Sequence, residues 1–60
     1  MDKEMFKLEF DTGNDAFSDL EAEISMILEA VGIEVRKGAT HGKVWDSNGN
    51  TVGKWSLTND

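Results

Sequence analysis

His41-Gly42-Lys43-Val44-Trp45-Asp46, then Ser47-Asn48-Gly49-Asn50, then Thr51-Val52-Gly53-Lys54-Trp55-Ser56-Leu57 is the stretch whose reading decides the fold. Two alternating runs flank Asn48-Gly49, the pair preferred at a two-residue type I′ turn because both central residues need positive φ. That turn sets a register. With Ser47 opposite Asn50, Trp45 faces Val52, Val44 faces Gly53, Lys43 faces Lys54, Gly42 faces Trp55 and His41 faces Ser56. Val44, Trp55 and Leu57 then point to a core beside glycines that leave room for a helix or for the large indole. Trp45 is left on the outer face with Val52, Lys43, Lys54 and His41.

Upstream, Phe6-Lys7-Leu8-Glu9-Phe10 alternates apolar with charged residues, the period-two mark of a strand buried on one side. Asp11-Thr12-Gly13-Asn14-Asp15 clusters turn formers and offers N-cap residues. From Phe17 the apolar residues Phe17, Leu20, Ile24, Ile27, Leu28, Val31 and Val35 recur at three- and four-residue steps, one stripe of a helix at about 100° per residue. Asp15, Asp19, Glu21 and Glu23 crowd its start, and Arg36 and Lys37 its end, each sign matched to the helix dipole. Two glycines compete to stop it, Gly32 and Gly38. Val35 returning to the stripe favours a helix over 16–37, roughly 33 Å long. The expected fold is therefore α+β, with β-α-β-β order. One long helix packs on one face of a three-stranded, mainly antiparallel sheet, within a single domain over 1–60. A right-handed crossover places the last strand between the other two. Thr58-Asn59-Asp60 reads as a fraying tail.

Sixty residues with no Cys and no Pro leave little core to offset chain entropy. Disulfides are ruled out, and His41 alone cannot build a closed zinc site. Idealised local structure or a second chain must supply the rest. Twelve acids against six bases give a net charge of -6. Ten of the acids and only Lys3 and Lys7 among the bases precede Arg36, so the charge is polar along the chain. This balance argues against duplex DNA as a partner. No apolar run reaches the length of a signal peptide or a membrane span, which points to a cytoplasmic protein without membrane contact.

Asp46-Ser47-Asn48-Gly49-Asn50-Thr51-Val52-Gly53-Lys54-Trp55 resembles the D-x-N-G-N-x-V-G-x-W ending of small accessory proteins encoded by bacteriophages and prophages. The likeness extends back through the first strand, the Asn14-Asp15-Ala16-Phe17 entry and the acidic helix. It implies a phage accessory protein, in the host cytoplasm, and assigns no activity to any residue. The chain departs from that pattern at Trp45, where the resemblance implies Arg, and at Gly32.

Chemistry is sparse. Asp46-x-Asn48-x-Asn50 imitates the first ligands of a calcium loop, but Thr51 stands where that loop needs Gly and Leu57 where it needs a bidentate Glu. The glycines lack the strand-loop-helix order of a phosphate cradle. His41 has no sequence-implied partner for acid-base work. The reading is of a non-enzyme with no cofactor and no metal. Its acidic helix, bearing Asp15, Asp19, Glu21, Glu23 and Glu29, is expected to bind a host or phage protein. Rows of carboxylates suit a Lys/Arg groove that normally holds phosphates, as in a nucleic-acid-mimicking inhibitor of a host defence protein. Ala22, Met26, Ala30 and Ile33, opposite the core stripe, are the expected homodimer contact. An alternative function is single-stranded nucleic-acid binding on the outer sheet face by Trp45, Lys43, Lys54 and His41, with Trp45 as a stacking platform. A small structural or assembly protein is the third reading.

Overall fold

A computed structural model of the chain describes residues 4–59. Strand β1 (Glu4–Phe10) leads through a short 3-10 turn (Asp15–Ser18) into helix α1 (Leu20–Arg36), followed by β2 (His41–Trp45) and β3 (Thr51–Asn59). All strand pairs are antiparallel and the spatial order is β1-β3-β2. The chain thus has the expected β-α-β-β, α+β architecture, with β3 in the centre. Having neighbours on both sides lets β3 extend further than its hairpin partner. Met5 pairs with Thr58 and Glu4 with Asn59, so these two residues continue the strand where a fraying tail was expected. Asp60 lies outside the described residues.

The central strand needs Gly53 for a specific reason. A Cβ there would overlap the carbonyl oxygen of Glu9 and lie 2.6 Å from the Cα of Phe10, because the backbone of β1 closes tightly on Gly53 where Phe10 pairs with it. Gly42 makes room for the indole in the same way, since a Cβ would come within 2.7 Å of Trp55 Nε1.

The hairpin closes differently from the expected type I′ turn. Gly49 has φ +83°, and Asn48 is not in the left-handed region. Gly49 N–H donates to the Asp46 carbonyl at 3.0 Å, and Asp46 N–H donates to the Asn50 carbonyl at 3.0 Å. The loop is therefore one residue longer, with a single left-handed glycine, a common three-residue hairpin geometry. The Asp46 carboxylate selects it by accepting the Asn48 and Asn50 N–H groups, both at 2.9 Å. The extra residue is absorbed as a bulge: Val44 still faces Gly53, but Trp45 faces Thr51. Val52, expected on the outer face beside Trp45, instead packs half-buried against the core.

The helical segment also departs from the expected 16–37. Asn14 caps the 3-10 turn, and Asp19, at φ -103° and ψ 85°, breaks it and caps α1. Two sheet contacts impose the break. Phe17 is buried with its ring 6.1 Å from that of Phe10, while the Asn14 amide is held by Asp46. At the far end Ala39 N–H donates to the Glu34 carbonyl and Gly38 N–H to that of Val35, with Gly38 at φ +96°. This is a Schellman stop, so the helix passes through Gly32 and ends before Gly38.

Phe17, Ile27, Val31, Val44 and Trp55 form the buried core, with Leu8, Phe10, Ala16, Ile24, Ala39 and Val52 packed around it. Leu20, Leu28 and Val35, expected in that core, are 47%, 52% and 40% exposed. Among the strands, β2 is the one the helix backbone approaches most closely, so the buried line runs through Glu23, Ile27 and Val31. The flank carrying Leu28 and Val35 is left on the β1 side. No helix among the described residues is long and apolar enough to cross a membrane.

Candidate interaction surfaces

Glu23 does not stand on an exposed acidic face. It is 7% exposed, and its carboxylate accepts the Ser47 N–H at 2.6 Å and the Ser47 hydroxyl at 2.9 Å. That bond ties the first turn of α1 to the hairpin loop. Asp46, 5% exposed, ties the same loop to the chain entering the helix, accepting from Asn14 Nδ2 at 2.8 Å. Asn14 in turn accepts from the Ala16 N–H. Burial pushes the Asp46 carboxyl pKa upward, but donation from the Asn50 N–H, the Asn14 and Asn50 side chains and the Asn48 N–H outweighs it. The carboxyl is therefore held below its ordinary value. Residue spacing carries no signal for the Glu23–Ser47 link, because 24 positions separate the two and both types are ordinary surface residues.

These bonds account for the hairpin motif in folding terms. Asp46, Asn48, Gly49 and Asn50 build the loop, Val52 fills the bulge, Gly53 lets β1 close in at Phe10 and Trp55 is 2% exposed in the core. Asp46 spends its oxygens on N–H donors within the chain. Among the described residues no group of three or more His, Asp or Glu is placed to hold a metal ion.

The remaining helix acids do not share one face. Asp19 is spent in part as a cap, accepting from the Ala22 N–H at 3.3 Å. Asp15 sits in the 3-10 turn, and Glu21 lies roughly 140° around the helix from Met26 at 100° per residue. Glu29 and Asp19 instead flank a patch of Ala22, Met26 and Ile33 that points away from the sheet, with Met26 42% and Ile33 46% exposed. Ala30 is exposed on the neighbouring flank. There, with Ile27, Glu34, Lys43, Val44 and Trp45, it lines a cleft of about 190 Å³ between α1 and β2.

Behind the sheet, Lys43 and Lys54 are directly opposed across β2 and β3, and Glu9 pairs with Lys54 from β1. Trp45 is 54% exposed, and His41 faces Ser56 one step along. The His41 ring nitrogen Nδ1 lies 3.3 Å from the hydroxyl of Thr40. A hollow of about 680 Å³ along β1 and β3 has Lys7, Glu9 and Lys54 as its charged members. With family models, curated proteins and solved structures all compared, nothing matches this chain.

Proposed function

We propose that this chain is a non-catalytic binding module that engages a protein partner through the solvent face of its helix. The observation that carries the reading is the exposed Met26 and Ile33, two turns apart on one line between Glu29 and Asp19, about 100° round the helix from the buried line of Glu23, Ile27 and Val31. An adaptable apolar centre with an acidic rim suits a partner surface that is apolar and rimmed by Lys or Arg. Such a partner includes nucleic-acid-handling proteins, and the hairpin's resemblance to phage accessory proteins is compatible with a host target in the cytoplasm. The test is affinity capture from the producing cell, comparing the natural chain with Met26→Asp/Glu29→Lys and with Lys43→Ala/Lys54→Ala. Loss of the partner by the first variant and its retention by the second supports the reading. Unchanged capture by the first variant ends it.

A second reading rests on the opposed pair Lys43 and Lys54 beside the exposed Trp45. Glu9 offsets Lys54 from the β1 side, and Lys43, on the edge strand, is the cation left to take a phosphate beside Trp45. Single-stranded nucleic acid on this face would quench Trp45 fluorescence at low salt, an effect the Lys43→Ala/Lys54→Ala variant would lose. Emission that does not change on addition of oligonucleotide removes this reading.

A further inference from the structure

Independently of the partner face, we infer that the helix flank on the β1 side is a self-association surface, on which a second copy of this chain docks with its helix antiparallel. Two observations fix the position of this flank. Glu23 bonds to the hairpin loop, and Ala30 and Glu34 line the cleft against β2, so the residues about 100° further round face the other edge of the sheet. There Leu28 is 52% and Val35 40% exposed, and Phe6, on the helix side of β1, is 48% exposed. The strand rises about 13 Å from Phe10 back to Phe6, which an antiparallel helix covers in about nine residues, bringing Phe6 level with the middle of α1 near Leu28.

Charge selects the occupant. Beyond Leu28 the rim of the flank holds Glu21 toward one end of the helix and Arg36 at the other, seven and eight residues from Leu28. A two-fold axis beside Leu28 brings Glu21 against Arg36 of the partner subunit, twice, and Leu28 against the partner's Leu28. The surface is self-complementary in the way an isologous dimer requires. Gly32 lies between these groups, and a Cβ there would meet nothing within 4 Å, so no contact within the chain calls for glycine. Against a second helix its missing side chain lets the backbones come close.

Area sets the strength. Leu28, Val35 and Phe6, each about half-exposed, leave on the order of 250 Å² of apolar surface per copy, enough to mark an interaction site on a small protein. Pairing two copies with their polar rims buries about 1,000 Å², the lower limit of a specific interface, so a weak, concentration-dependent dimer is expected.

Sedimentation velocity on the full chain from about 5 to 500 μM tests this, with circular dichroism confirming the fold of each variant. The natural chain should pass from one copy to two across that range. Leu28→Glu should remain a single copy throughout, while Met26→Glu, on the partner face, should dimerise normally. Glu21→Arg and Arg36→Glu should each weaken the dimer several-fold, and the two together should restore it. A natural chain that stays single at every concentration overturns the inference, as does a Met26→Glu that abolishes the dimer while Leu28→Glu does not. If Leu28→Glu fails to fold, the charge exchange decides, and a double variant no tighter than the singles overturns the inference.

Discussion

Replacing Glu23 with Ala removes a buried carboxylate and leaves the Ser47 N–H and hydroxyl, in an exposed loop, without their acceptor in the chain. Water takes over those donors, so the loss is the net worth of the charge-assisted bonds, about 1.5 kcal/mol, which urea unfolding of Glu23→Ala should show, with Glu23→Gln recovering part of it. Glu29→Ala, on the exposed face, should change stability by less than about 0.5 kcal/mol. Asp46 makes the second residue-scale prediction. Its folded pKa lies below its unfolded value, so the unfolded chain binds the proton more readily. The stability this contributes is fully present above the ordinary carboxylate pKa and is lost as pH falls through the folded value. Unfolding free energy should therefore decline between about pH 5 and pH 2, and Asp46→Ala should flatten part of that decline while lowering the plateau. A pH profile for Asp46→Ala parallel to that of the natural chain would contradict this account.

The two glycines that compete to end the helix separate at the scale of the element. Gly38 has φ +96° and completes the Schellman bonds to Val35 and Glu34, so Gly38→Ala should cost about 1 kcal/mol in strain. Gly32 is inside the helix with open space where a Cβ would go, so Gly32→Ala should raise monomer stability by about 1 kcal/mol. Denaturation at low micromolar concentration checks both signs. The return of Val35 to the 100° stripe was the legible sign that the helix continues past Gly32. The break at Asp19 was not legible, because it arises from Phe17 seating on Phe10 and Asn14 bonding to Asp46, two contacts made across the fold. The hairpin was legible to the residue as far as Val44–Gly53. Beyond that pair the Asp46 carboxylate lengthens the loop by one residue and turns Val52 inward.

For the whole molecule, the shortage of core that follows from sixty residues without cysteine takes a definite form. Five side chains make the buried apolar core, while Leu20, Leu28, Val35 and Phe6 stay about half in water. If a second copy covers the flank of Leu28, Val35 and Phe6, the melting temperature should rise with protein concentration, and the rise should vanish in Leu28→Glu. A concentration-independent melting temperature for the natural chain would mean the flank stays uncovered. Strand order, helix polarity, the acid-base division along the chain and the outward Trp45 all follow from periodicity, capping residues and the right-handed crossover, which are local or nearly local constraints. Three-dimensional packing decided the rest. Two arcs of the α1 surface carry apolar residues, and only its roll toward β2, fixed by the Glu23–Ser47 bond and the core around Ile27, selects which of them is buried. That roll takes Glu23 out of the acidic surface and leaves Leu28 and Val35 exposed, because a single helix is too narrow to cover both edges of a three-stranded sheet.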